Sequence, residues 1–203
     1  MKEKLQLLKD NDKEKIVKYL SEGKIGLIPT DTLYGICSRM DRESSVKRIY
    51  DLKSRDRDKP LIILADSFET ALNYIEYIPE GVRALLDNYW PGALTVTFKA
   101  NMENVPSYVR AKGLTVAIRV SDNYELRNII KKLGVPIVAP SANFQGKNPP
   151  DSLSKVDEKI VDIVDFIVEG ECKMKIASTI IDCSTGKCSM VRQGAVKIQD
   201  LEL

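Results

Sequence analysis

The sequence predicts one α/β domain with a mixed β-sheet spanning residues 1–203, and three observations carry that prediction. The apolar pattern switches repeatedly between a helical period and short β-branched runs. Polar turns sit directly after several of those runs. The chain of 203 residues, 43% hydrophobic and 30% charged, is long enough for one sizeable core and shows no repeat or low-complexity linker that would divide it.

Along the chain, Asn11 with Glu14 has the form of a capping box opening a helix, with Ile16, Val17 and Leu20 on one face and Gly23 as its stop. Lys24 to Ile28 reads as a buried strand ending at Pro29. Glu43 to Lys53 is helical, because Val46, Ile49, Tyr50 and Lys53 fall at spacings of three and four. Pro60 to Ala65 is a strand, followed by short helices over Ser67 to Tyr74 and Pro79 to Tyr89. Trp90-Pro91-Gly92 breaks the chain before the strand Leu94 to Phe98. Leu114 to Val120 is a strand, Asp122 caps a helix carrying Leu126, Ile129 and Ile130, and Gly134 ends it. A short strand over Val135 to Ala139, a loop rich in Asn and Pro, and a helix over Lys155 to Ile163 come next. Phe166 to Val168, Ser178 to Asp182 and Cys188 to Arg192 close the list as strands, the last two spaced closely enough for antiparallel pairing.

The composition excludes several chemistries. There is no histidine, which removes imidazole triads, the HExxH zinc site and a pH switch near neutrality. With 31 Lys+Arg against 29 Asp+Glu the net charge is +2, too balanced for a strongly basic, sequence-blind nucleic-acid binder, although a local basic patch stays open. The longest apolar run, Leu61 to Ala65, is far short of a membrane span, and no signal-like h-region opens the chain. A cytoplasmic protein is therefore expected. Cys37, Cys172, Cys183 and Cys188 form no CxxC pair, so free thiols in a reducing compartment are expected and no protein metal site is foreseen.

Candidate chemistry gathers in loops that follow strands, where open α/β sheets place ligands. Pro29-Thr30-Asp31-Thr32-Leu33-Tyr34-Gly35 is either a turn in which Asp31 and Thr32 cap backbone amides or a polar ligand loop. The run Lys53-Ser54-Arg55-Asp56-Arg57-Asp58-Lys59 is either a solvated, self-paired charge run or a set of fixed cations for phosphate oxygens. Lys53 continues the packed helical face, which favours fixed cations. Ala139-Pro140-Ser141-Ala142-Asn143 offers a hydroxyl and an amide in one turn. Arg119 and Arg192 end strands, and Ser178-Thr179 opens one. The Gly-Lys pairs are not Walker A loops and no GxGxxG occurs, so any nucleotide site is unconventional.

Taken in order, these segments resemble the YrdC/YciO family of threonylcarbamoyl-AMP synthases. The resemblance runs from about Lys13 to Gly194 and rests on the Pro29–Gly35 segment, Lys53-x-Arg55, Lys59-Pro60-Leu61, Pro91-Gly92-x-x-Thr95, Thr115-x-x-x-Arg119, Ser141-x-Asn143, Ser178-Thr179 and Val191-Arg192-x-Gly194. It implies a twisted sheet flanked by helices around a large concave cavity. The implied activity joins L-threonine, bicarbonate and ATP into threonylcarbamoyl-adenylate, with Mg²⁺ riding on the ATP and no tightly bound cofactor. Partner proteins of the tRNA threonylcarbamoyl-transfer machinery would use the product, and binding of double-stranded RNA or tRNA is implied as well. By the same resemblance Thr32, Arg119 and Ser178 meet threonine, while Lys53, Arg55, Lys59, Thr115, Ser141, Asn143 and Arg192 meet ATP, with Lys53 and Arg55 as the catalytic cations. No additional C-terminal domain is expected after Leu203.

Two departures stand out. Many members carry Asn before the Pro-Leu step and a His four residues beyond that Pro, where this chain has Lys59 and Leu64, so the resemblance implies one lost threonine contact. The Ser-Pro-Thr that often follows the Ser-x-Asn segment is replaced near Asn148-Pro149-Pro150-Asp151. The alternatives are a YciO-like paralogue with a different or weak adenylating activity, and a non-catalytic RNA-binding protein.

Overall fold

The computed structural model describes residues 5–9, 12–56, 59–110 and 113–198. Helices and strands alternate along the chain as β1 (Gln6–Lys9), α1 (Lys13–Ser21), β2 (Gly26–Pro29), β3 (Tyr34–Arg39), α2 (Glu43–Leu52), β4 (Ile62–Ala65), α3 (Phe68–Leu72), α4 (Val82–Tyr89), β5 (Leu94–Lys99), β6 (Thr115–Val120), α5 (Tyr124–Leu133), β7 (Ile137–Val138), α6 (Glu158–Val161), β8 (Phe166–Glu169), β9 (Thr179–Asp182) and β10 (Ser189–Arg192). A 3₁₀ turn over Leu153–Lys155 precedes α6 and interrupts the longer helix predicted there.

All the described strands join in one mixed sheet of order β1-β8-β2-β3-β7-β4-β6-β5-β9-β10. β8 bridges β1 and β2 in parallel, and β4–β6 and β5–β9 are also parallel. The hairpin neighbours β2–β3 and β9–β10, and the pairs β5–β6, β3–β7 and β4–β7, are antiparallel. The α/β class with a mixed sheet is thus as predicted. Two strands were not foreseen. β1 sits in a charged segment and is held by β8, a partner far away in sequence. β3 carries Gly35 and no alternation, because all but its last residue are buried.

Each face of the sheet has its own apolar cluster. The larger collects Val46, Ile49 and Tyr50 of α2 with Val82 and Leu86 of α4 against Leu94, Val96, Phe98, Val116, Ile118 and Val120. The smaller sets Ile16 and Leu20 of α1 and Leu126, Ile129, Ile130 and Leu133 of α5 against β1, β8, β2, β3, β7 and β4. It takes no residue from β5, β6, β9 or β10. That uncovered stretch of sheet floors the cavity described below.

Several local expectations change. Asn11 lies outside the described residues; Asp12 occupies the N-cap of α1 without a side-chain capping bond. The α5 cap is Asn123, whose side chain accepts from the Leu126 amide at 3.0 Å, rather than Asp122. Gly134 ends α5 in the left-handed conformation, as read. Gly26 has no room for a Cβ, which would strike the Phe166 ring where β2 meets β8. The cysteines also depart from expectation. Cys183 and Cys188 form a disulfide across the β9–β10 turn, while Cys37 and Cys172 are buried free thiols. Burial pushes the Cys37 thiol up to about 12 and the Cys172 thiol up to about 11.

Candidate active site

A cavity of about 190 Å³ opens over the bare part of the sheet, and strand alternation decides what lines it. Val116, Ile118 and Val120 of β6 point into the larger core, so Ala117 and Arg119 point the other way. By the same period β5 offers Thr95, β9 offers Ile180 and β4 offers Ile62. Thr30, Thr32 and Leu33 between β2 and β3, with Tyr34 and Gly35 at the start of β3, complete the wall together with Arg55 and Pro60 before β4, Ala139 to Ser141 after β7, Pro149, and Ala177-Ser178 before β9. Arg192 at the end of β10 closes the rim.

The β2–β3 turn is organised by Thr30 and not by Asp31 and Thr32, which one of the two alternatives for this segment had capping it. Thr30 Oγ1 accepts from the Thr32 and Leu33 amides at 3.1 and 3.2 Å and donates to the Leu33 carbonyl at 2.8 Å. Asp31 is turned inward instead. Its Oδ1 accepts from Arg119 Nη1 at 3.0 Å and from Ser121 Oγ. Arg119 and Asp31 are 4% and 2% exposed, so Arg119, expected to meet threonine, is also one half of a buried ion pair. Burial pulls the Arg119 guanidinium down from its ordinary value and the Asp31 carboxylate draws it back up.

Arg192 donates to the Ser178 carbonyl through Nε at 3.1 Å and Nη2 at 2.8 Å. Ser178 Oγ shares a hydrogen bond of 2.9 Å with Thr95 Oγ1. Gly194 packs against the same backbone so closely that a Cβ would collide with Ala177 and Ser178. Arg55 donates to the Pro60 carbonyl at 2.8 Å. Burial lowers the Arg55 and Arg192 guanidinium values, the second also through nearby Arg119. Among the described residues neither has a carboxylate within ion-pair distance, although Asp56 acts on Arg55 from farther away, and the described lining of the cavity holds three Arg and no acidic side chain.

Lys53 is placed differently from the sequence expectation. It is 3% exposed and lies behind the wall, where Nζ donates to the Ser141 and Asn143 carbonyls, both at 2.5 Å. Asn143 also turns away from the cavity. It accepts from Ser141 Oγ at 2.5 Å and donates to the Phe144 and Lys147 carbonyls. Lys59 is exposed, and its carbonyl accepts from Tyr50 and Arg55. Thr115 shares the Arg119 face of β6 but does not line the cavity, and Arg57 and Asp58 lie outside the described residues. Of the expected residues, the structure therefore gathers Thr32, Arg55, Arg119, Ser141, Ser178 and Arg192 around one cavity. The sequence reading assigned no role to Thr95, Tyr34 or Ser121. Thr95 had a signal, the polar half of the Leu94–Lys99 alternation.

Comparison with known proteins bears on the family and the fold. The family model Sua5/YciO/YrdC, described as "Telomere recombination", matches residues 18–194. The chain belongs to that family. It is 34% identical to the threonylcarbamoyl-AMP synthase of Pyrococcus abyssi over 91% of its own length and 54% of that protein. It is 32% identical to a putative threonylcarbamoyl-AMP synthase of Methanocaldococcus jannaschii over 98% of this chain and 95% of that one. Among solved structures, P. abyssi Sua5 complexed with L-threonine superposes with a TM-score of 0.86 at 31% identity, covering 94% of this chain and 57% of that one. E. coli YciO shares the fold, with a TM-score of 0.85 at 19% identity over 98% of both chains. The chain thus spans about half the length of the P. abyssi family member and most of the M. jannaschii one.

Proposed function

We propose that this protein condenses L-threonine, bicarbonate and ATP into threonylcarbamoyl-AMP with release of pyrophosphate, for the threonylcarbamoyladenosine modification of tRNA. The observation that carries this reading is the division of charge in the cavity. Arg55 and Arg192, which have no ion-pair partner among the described residues, suit phosphate oxygens, while Arg119 is already neutralised by Asp31 and suits a group of lower charge. The family relationship and the threonine bound to the P. abyssi relative support the same assignment.

In this reading, threonine carboxylated on its nitrogen is already anionic. Its carbamate oxygen attacks the α-phosphorus, an O–P bond forms, and the bond to the pyrophosphate oxygen breaks. No strong base is needed, which suits a chain without histidine. Arg55, Arg192 and Ser141 hold the triphosphate; Arg119 and Ser178 hold the amino acid. Thr115 and Lys59 lie outside the cavity lining and are assigned to the nucleotide by the family resemblance alone, and Lys53 with Asn143 shapes the Ser141 loop. Mg²⁺ enters as part of the ATP substrate. Among the described residues no group of three acidic, His or Cys side chains is gathered to hold an ion. The product would pass to the tRNA threonylcarbamoyl-transfer machinery in the cytoplasm, where ATP and tRNA meet. No described helix is long and apolar enough to cross a membrane.

The test is pyrophosphate release from ATP with threonine and bicarbonate supplied together and singly. Release that requires both is the expected result. ATP binding without threonine-dependent release would transfer the assignment to another acyl-adenylate, and retention of RNA without ATP binding would favour a purely RNA-binding role.

A further inference from the structure

Asp31 has no individual role in the expectations above, yet it holds one Nη1 hydrogen of Arg119, a residue of the cavity lining. Both hydrogens of Arg119 Nη1 are committed, one to Asp31 Oδ1 and one to Thr32 Oγ1, each at 3.0 Å. Thr32 Oγ1 is itself fixed by a 3.0 Å bond with Thr30 Oγ1, and Ser121 Oγ holds Asp31 Oδ1 from another side. What remains of the guanidinium is the edge made by Nε and Nη2. Nε is buried with no hydrogen-bond partner among the described residues, at a side chain 4% exposed that lines the cavity. A buried donor left open in this way costs stability unless a ligand takes it. Two parallel N–H groups on one guanidinium edge match the two oxygens of a carboxylate.

Charge completes the argument. Asp31 makes Arg119 neutral as a pair, whereas Arg55 and Arg192 at the same cavity have no ion-pair partner among the described residues. A polyanion is drawn to the second set, and a singly charged carboxylate is left for the first. We propose that Asp31 is a positioning residue. It turns the Nε/Nη2 edge of Arg119 into the cavity and, by matching its charge, reserves that edge for a substrate carboxylate while the triphosphate goes to Arg55 and Arg192. This role rests on the functional reading given above.

The test compares binding of L-threonine, of L-threoninol (its carboxylate reduced to an alcohol) and of ATP to wild type, Asp31→Asn and Ser121→Ala by calorimetry. Wild type is expected to prefer threonine over threoninol at least about tenfold. In Asp31→Asn the guanidinium loses its charged anchor and leaves the edge-on pose, so that preference falls several-fold despite the added positive charge, while ATP binding stays within about twofold or tightens because Arg119 is now a free cation. Ser121→Ala moves the same ratio less. A general loss of structure would weaken all three ligands together, so the threonine-to-threoninol ratio isolates positioning. Asp31→Asn with the wild-type ratio overturns the proposal. If that variant fails to melt cooperatively, an unchanged ratio in Ser121→Ala overturns it instead. A wild type that binds ATP and no threonine sinks the functional reading itself, and this proposal with it.

Discussion

Lys53 is the residue whose role the structure changes most, and Lys53→Met tests that change. Its ammonium is 3% exposed, and burial, with the neighbouring Arg55 cation, lowers its pKa from 10.5 to about 8. A depression of that size corresponds to about 3 kcal/mol against the charged form. Three oxygens oppose it: the Ser141 and Asn143 carbonyls at 2.5 Å and Asn143 Oδ1 at 3.4 Å. The charged group fills them with three N–H donors; the neutral amine has only two and a lone pair to face the third. Below pH 8 both folded and unfolded chains hold the proton, so the fold bears the full cost. Between about 8 and 10.5 only the unfolded chain holds it, so unfolding free energy rises with pH across that window. ATP affinity should move oppositely, falling above pH 8 as the Ser141 loop loses its clamp. In Lys53→Met, relief of about 3 kcal/mol offsets the loss of two carbonyl bonds of about 1–3 kcal/mol each, so stability stays within about 3 kcal/mol of wild type. Pyrophosphate release should still drop at least about tenfold, near 1.4 kcal/mol. The checks are calorimetric ATP binding and denaturant unfolding across the pH range. Wild-type ATP affinity that is flat through pH 8, or full turnover in a folded Lys53→Met protein, refutes the clamp.

Other perturbations give separate expectations. Leu64→His would introduce the residue that the family resemblance leads one to expect, but Leu64 is fully buried in the α1–α5 cluster and does not line the cavity. The substitution should cost at least about 2 kcal/mol in urea unfolding without tightening threonine, since it puts a polar ring into an apolar core; a tighter threonine Kd would place that side chain at the site after all. Replacing Cys183 and Cys188 together by Ser removes the bond that closes the hairpin carrying Ser178 and Arg192. For so short a loop the stability loss should be roughly 2 kcal/mol, with a weaker ATP Kd, and unchanged ATP binding would show that the hairpin holds Arg192 unaided.

Much of the fold was legible because local patterns report local burial. The 3.6 period of Val46, Ile49 and Tyr50 gave α2, and the β-branched run Leu94 to Phe98 gave β5. β1 and β3 were not legible for different reasons. The first depends on a parallel partner distant in the chain. The second is buried on both faces, so the alternation that marks half-exposed strands is absent. The site divided in the same way. Thr32, Arg55, Ser141 and Arg192 lie in motifs whose order in the chain points to a common cavity, and they meet there. Lys53 and Asn143 lie in the same motifs but face backbone carbonyls behind the wall, because burial and loop geometry, not residue type, set where an ammonium or amide points.

The sequence alone determined the α/β class, the absence of imidazole chemistry and the hydroxyl- and cation-bearing loops on which a nucleotide reading rests. These follow from residue types and short spacings. Only the tertiary structure decided that Asp31 meets Arg119 across 88 residues, that Cys183 bonds Cys188, and that Leu64 belongs to the core. The physical reason is charge pairing in a low-dielectric interior. Whether a cation is free for a ligand depends on which carboxylate folding buries beside it, and that partner is set by strand order.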